Sequence, residues 1–232
     1  MNTLAVLQSN YIPWRGYFDI INDVDEFIIY DEVQYTKNDW RNRNILYVNG
    51  KKQWITLPCG YDLKRTIDEV QFNNTIPWQR QHWELIKNTY AKAPYFKMYK
   101  VFFEHVYLEN KWEYLSEFNV YLIKHIAKNF LKIDTKITNS RMYKSIGNRQ
   151  EKLISLLKDA NANRYISGSA AKNYIDETDF IQSGIELIWK DYSGYPEYKQ
   201  LYSPFLHEVS ILDVLFNTGE NAPYYVWGWR SK

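Results

Sequence analysis

Short unbroken apolar runs and stripes at helical spacing alternate along this chain, and their order predicts an α/β fold. Residues 4–8 and 27–31 read as buried strands, each built on a continuous apolar run. Between them Gly16 to Val24 supplies about two turns of helix. Strand, helix, strand in that order predicts a parallel pair joined by a right-handed crossover. A hairpin follows, in which Ile45–Val48 and Gln53–Leu57 flank Asn49-Gly50, two positions that tolerate positive φ. Val70-Gln71-Phe72 reads as one more short strand. From residue 78 the period becomes helical. Pro77 starts a helix at Trp78, where a missing N–H costs nothing, and Pro94 interrupts the pattern. Tyr95–Leu108 and Tyr114–Phe130 follow as amphipathic helices, the second carrying the stripe Leu115, Phe118, Leu122, Ile126 and Phe130. Alternation then returns: strands at Ile133–Ile137, Arg164–Ser167 and Ile185–Trp189, helices at Asn148–Leu157 and Leu212–Asn217, the last closed by Gly219. Gly168-Ser169-Ala170-Ala171 forms a small-residue turn after the strand that precedes it. The expected architecture is an open, mostly parallel sheet with a β-hairpin, in a single α/β domain over residues 1–232 that carries a helical subdomain inserted at about 77–132.

Composition narrows the class. With 45% hydrophobic and 24% charged residues in 232, the chain suits a soluble globular protein with a sizeable core. A net charge of +2 is too small to indicate a nucleic-acid partner. One cysteine, Cys59, leaves no intrachain disulfide. The opening Met1-Asn2-Thr3-Leu4 lacks the basic region of a signal peptide, and no apolar run approaches the ~18 residues that span a bilayer, so the expected compartment is the cytoplasm, with no membrane partner. Twenty-one Tyr and 9 Trp stand out. Each joins an apolar body to a polar tip, which suits half-exposed grooves and ring-face stacking on sugars; a Tyr-rich core accounts for them equally well.

Candidate chemistry concentrates after the first strand. Gln8, Asn10, Tyr11, Trp14, Gly16 and Tyr17 crowd a loop at the edge where an open α/β sheet places its ligand. Gly16 permits close backbone approach, and the helix that follows offers unpaired N–H groups to phosphate. The second strand ends at the same edge, bringing Asp31, Gln34, Lys37, Trp40, Arg41 and Arg43 nearby. Two arginines and a lysine suit a diphosphate clamp, since the guanidinium fork matches phosphate oxygens. Asp31 would bind a ribose or a metal, or accept a proton; a solvated loop with Asp39 paired to Arg41 is the plain alternative. His207, in a loop before the cap-like Ser210-Ile211-Leu212-Asp213, is a second candidate base. The four histidines lack metal-ligand spacing, so no metal is expected, and Cys59 has no neighbour that would activate it.

The stretches Leu7–Asp19, Val24–Tyr35, Trp40–Asn44, Tyr165-Ile166-Ser167-Gly168 and Ser210–Gly219 resemble the WbqC-like family of bacterial proteins, in order and over nearly the whole chain. That family occurs among genes for O-antigen and other surface polysaccharides. The resemblance therefore implies work on nucleotide-linked sugars, amino sugars in particular, and adds Ser167 to the binding residues. A more distant likeness is to class I nucleotidyltransferases: Pro13-Trp14-Arg15-Gly16-Tyr17 occupies the place of their H-x-G-H loop, with Trp14 and Tyr17 where the histidines would stand. The fold is thus expected to be Rossmann-like or nucleotidyltransferase-like, without adenylyl transfer. The function expected is a transferase that places an acyl or aminoacyl group on the amine of a nucleotide-linked sugar, with Asp31 or His207 as base. Its co-substrate would be an activated acyl or aminoacyl donor, aminoacyl-tRNA among them. The rival is a non-catalytic sugar-nucleotide-binding accessory protein. Oligomeric state is not legible in the sequence.

Overall fold

Five short strands pair in parallel, and the helices between them cover both faces of the sheet they form. The computed structural model describes residues 1–60, 62 and 64–230. β1 (Thr3–Leu7) leads through α1 (Arg15–Asn22) to β2 (Glu26–Ile29). The hairpin β3 (Arg43–Val48) and β4 (Lys51–Thr56) forms a separate two-stranded sheet, turning at Asn49 and Gly50 with φ of 49° and 75°. Helices α2 (Trp78–Tyr90), α3 (Phe96–Leu108) and α4 (Leu115–His125) lead to β5 (Lys136–Asn139). Then come α5 (Gln150–Asp159), β6 (Arg164–Gly168), α6 (Glu177–Gln182), β7 (Glu186–Lys190) and α7 (Ile211–Thr218). The parallel strands lie in the order β5-β2-β1-β6-β7, with Leu4 opposite Glu26 on one side and Tyr165 on the other. The fold class is therefore the expected one: an open parallel sheet with a hairpin and an inserted run of helices.

Alternation along each strand divides the core. Leu4, Val6, Ile28 and Tyr165 pack with Leu156 and Leu157 of α5 and Phe180 of α6. Ala5, Phe27, Ile29 and Ile166 face the other way, onto α1, α7 and the helices α2 to α4. Successive side chains of a strand point to opposite faces, so a strand buried on both sides must be apolar throughout. The inserted helices share that second core with the sheet.

Several boundaries differ from the sequence pattern. Val70–Phe72 is not a strand; Gln71 makes one isolated bridge to Tyr114, and Phe72 packs on Trp78 at 4.5 Å between ring centroids. The fifth strand starts at Lys136, not Ile133. A π-helical turn, Ile126–Phe130, continues α4; Lys132 after it takes a φ of 56°, and Ile133 donates its N–H to the Ala127 carbonyl (2.9 Å), so it closes that turn instead of opening the strand. α6 is too short for its period to show.

Buried polar groups tie the layers together. Lys190 at the end of β7 lies 2.7 Å from Asp19 of α1 and 2.5 Å from Asp23 just after it, and Arg230 reaches both carboxylates. On the opposite flank, Tyr11, Tyr107 and His82 form a buried chain. A carbonyl only accepts, so His82 Nε2–H donates to the Thr56 carbonyl (3.2 Å). His82 Nδ1 then accepts from the Tyr11 hydroxyl (2.8 Å), which accepts in turn from Tyr107 (2.6 Å). Burial pushes the His82 imidazole down from 6.5 to about 4. Between those values the unfolded chain takes up a proton that the folded one refuses, so stability falls as pH falls, by about 3 kcal/mol once pH 4 is reached. Urea unfolding across pH 7 to 5 is expected to show this loss beginning near pH 6.5, and His82→Gln to remove that share of the slope. An identical slope in the variant would contradict it.

Candidate functional site

Strand order reverses between β1 and β6: the chain builds outward from β1 to β2 and β5, then returns to the other side for β6 and β7. At such a reversal the connections leave in opposite directions and open a crevice beyond the carboxyl ends of the strands, where doubly wound folds bind ligands. A cavity of about 640 Å³ lies there. Leu7 and Gln8 line it from the end of β1, and Ser167 and Gly168 from the end of β6. Arg149 and Gln150 line it from the start of α5. Tyr30 and Tyr174 supply aromatic wall, and Ala170 and Ala171, in the short turn after β6, leave room for a ligand near the backbone. Arg149 holds a φ of 48°, a strained conformation for a residue with a Cβ. Gln150 is pinned at both ends of its amide: Nε2 donates to the Asp176 carbonyl (2.9 Å) and Oε1 accepts from the Asp176 N–H (2.8 Å).

Of the predicted residues, Gln8 and Ser167 meet in this cavity. Arg41 reaches Gln8 from the loop after β2: its Nη2 donates to Gln8 Oε1 (3.0 Å) while Nη1 pairs with Asp39 (2.6 Å). Tyr17 donates to the Gln8 carbonyl (2.9 Å). Arg43 does not join Arg41; its guanidinium stacks 4.0 Å over the Trp54 ring on the hairpin. Lys37 and Gln34 line neither cleft, and Gln34 bridges to Thr66. Of the two arginines expected in the clamp, Arg41 stands beside Gln8 and Arg43 stands on the hairpin. Asn10, Trp14 and Trp40 line a second cleft, of about 620 Å³, whose far wall is Asn44, Lys52 and Trp54 of the hairpin. Tyr11 is fully buried, in the chain with His82. Gly16 sits under Trp14, where a Cβ would come within 2.3 Å of the indole.

Asp31 and His207, the two candidate bases, line neither cleft. Asp31 is 1% exposed; Oδ1 accepts from the Ser9 N–H (2.7 Å) and Oδ2 from the Ser116 hydroxyl (2.5 Å). Burial raises its carboxyl above the usual range, against those two hydrogen bonds. It joins the end of β2, the loop after β1 and α4. His207 Nδ1 lies 2.9 Å from Arg15 Nη2, and a guanidinium offers no acceptor, so that nitrogen carries the lone pair. Cys59 is buried and burial pushes its thiol up to about 12, the condition of an inert packing residue. Among the described residues no group of His, Cys, Asp and Glu is arranged to hold a metal ion, and no helix is long and apolar enough to cross a membrane.

Arg149, Gln150, Tyr30 and Tyr174, and on the hairpin side Trp54, Asn44, Lys52 and Glu208, are site residues that the sequence did not single out. The loop after β5 carried no motif, and only the strand order shows that its helix start faces β1.

The model of the WbqC-like protein family matches residues 8–225, from the first residue of the polar loop onward. The chain belongs to the WbqC-like family. It is 42% identical over 228 residues to the uncharacterized protein Rv1507c of Mycobacterium tuberculosis (strain ATCC 25618 / H37Rv), an alignment covering 97% of this chain and 98% of that one. No solved structure matches. The resemblance read from the loop motifs is thus established, and every cavity residue named above from Gln8 onward lies inside the matched span.

In this WbqC-like protein the geometry of Asp31 makes a definite prediction. Asp31→Ala strands the Ser9 N–H and the Ser116 hydroxyl in the interior, at a cost of about 3 kcal/mol. Urea unfolding measures it. A variant as stable as the parent but slow in turnover would return Asp31 to the role of catalytic base.

Proposed function

We propose that this protein binds a nucleotide-linked amino sugar at the reversal point of its sheet and transfers an acyl or aminoacyl group to the sugar amine, as a cytoplasmic step in O-antigen or other surface-polysaccharide biosynthesis. The cavity outside β1 and β6 is the observation that carries this reading. Its parts suit the nucleotide half. The small residues 168–171 admit a diphosphate close to backbone N–H groups, Arg149 offers it a guanidinium fork, and Tyr30 or Tyr174 gives a base a ring to stack on. Gln8, steadied by Arg41, presents an amide to the diphosphate or the sugar hydroxyls. Family membership supports the sugar-nucleotide setting.

In the transfer itself, the neutral amine attacks the carbonyl carbon of an activated donor. A C–N bond forms, the bond to the leaving group breaks with its electron pair, and the proton shed by nitrogen passes to the leaving group. Such attack is intrinsically easy, so holding the two partners in line supplies most of the acceleration. A second reading, a sugar-nucleotide-binding protein without catalysis, is favoured by one observation: the described lining of the cavity includes no His, Cys, Asp or Glu.

Incubating the protein with dTDP- or UDP-amino sugars and activated donors, aminoacyl-tRNA included, with mass detection of an N-acylated product, tests the transfer. Product formation supports the first reading; tight binding with no product from any donor supports the second. Arg149→Ala is expected to weaken binding of dTDP or UDP about tenfold by calorimetry with an unchanged thermal midpoint. Equal affinity in the variant and the parent would remove the nucleotide from this cavity.

A further inference from the structure

The Gln8–Trp14 loop has two sides. Gln8 lines the cavity at the sheet reversal, Ser9 is buried, and Asn10 lines the second cleft, against the hairpin. Three indoles wall that cleft: Trp14, Trp40 and Trp54. Trp40 and Trp54 stand with ring centroids 5.4 Å apart and planes tilted by 40°, a V rather than a flat slot. They remain 44% and 43% exposed, an unusual state for paired tryptophans on a surface. All three are braced. Arg43 lies 4.0 Å over the Trp54 ring, the Trp40 carbonyl receives the Tyr11 N–H (2.9 Å), and Trp14 packs between Gly16 and Tyr192.

One polar atom in this wall stands out. Asn44 is fully engaged: Nδ2 donates to the carbonyls of Tyr11 and Ile12, both at 2.9 Å, and Oδ1 accepts from the Ile45 N–H. Asn10 Oδ1 is shielded from solvent with no donor opposite it. A shielded acceptor left unpaired is costly, and an amide without that obligation can turn to accept an O–H or N–H from a ligand in the cleft. Among the described lining residues Lys52 and Glu208 pair with each other, so the charges of the lining itself cancel, while Arg43 lies over Trp54 without lining the cleft.

We propose that this cleft is a pyranose subsite, which stacks the sugar ring against the tilted indoles and takes one of its O–H or N–H groups on Asn10. The tilted faces suit a sugar, since a puckered ring presents C–H groups at several angles. The proposal deepens the reading above, since it assigns the sugar half of the ligand whose nucleotide half that reading places by Arg149. Gln8 and Asn10 are two residues apart, so their α-carbons lie within about 7 Å.

Saturation-transfer NMR with free 2-amino-2-deoxyglucose, alongside calorimetry with dTDP, separates the two halves. In the parent, irradiating the protein's aromatic protons is expected to label the ring C–H groups of the free sugar. Trp54→Ala is expected to abolish that labelling and Asn10→Ala to weaken it, both with dTDP affinity unchanged; Arg149→Ala is expected to do the reverse. A linked dTDP-amino sugar should lose about tenfold in affinity in Trp54→Ala, the scale of one lost stacking face. No labelling of the sugar in the parent, labelling that survives both Trp54→Ala and Asn10→Ala, or a loss of dTDP affinity in Trp54→Ala each overturns the subsite. Sugar contact without any dTDP binding leaves the subsite standing and removes the nucleotide cavity; dTDP binding without sugar contact does the opposite.

Discussion

Seven residues of irregular backbone, 8 to 14, decide how this molecule is put together, and they are held in place by groups far away in the chain. Asp31 takes the Ser9 N–H, and the Trp40 carbonyl takes that of Tyr11. Asn44 serves the carbonyls of Tyr11 and Ile12, and Ser210 adds a hydroxyl to Ile12 at 2.8 Å. The Ile211 N–H reaches Pro13. Buried peptide groups must find partners, and here the loop after β2, the hairpin and α7 each give up a polar group to do it. Ile12 accordingly holds a φ of 37°, which a β-branched residue does not adopt unless its surroundings fix it. Both clefts share this rigid wall.

The polar residues that the sequence offered as chemistry therefore divide between two tasks. Asp31 and Tyr11 build the wall, together with Asn44, which the sequence did not single out; Gln8, Asn10, Trp14 and Trp40 face outward from it or beside it. A carboxylate in a polar loop looks the same on paper whether it will meet substrate or a neighbouring amide. What separates them is burial, and burial is a property of the folded molecule: Asp31 spends both oxygens on Ser9 and Ser116.

The strands and most helices were legible because they rest on local patterns: β1 and β2 on unbroken apolar runs, β6 and β7 on shorter apolar centres, α3 and α4 on spaced stripes. The hairpin was legible because Asn49-Gly50 is stereochemically specialised. Strand order was not, since the reversal at β1 depends on α5 carrying the chain across to the far side, and nothing in Asn148–Leu157 announces a direction. Half the cavity was hidden for that reason, Arg149 and Gln150 among it. The Trp54–Arg43 stack was hidden for another: Arg43 falls in the polar stretch read as lying before the hairpin and Trp54 in its second strand, so nothing local lays one over the other.

β1 is the middle strand of the sheet and the first to leave the ribosome. One neighbour, β2, follows within some twenty residues, but the other, β6, begins at Arg164. Until Arg164 and the residues after it are made, then, the apolar run Leu4-Ala5-Val6-Leu7 has an open side with unpaired amides, the kind of edge onto which other nascent chains add. Holding that edge apart until residue 168 has emerged is a task for a chaperone or for speed of synthesis. A premature stop between β5 and β6 would yield a sticky fragment, not a smaller working protein.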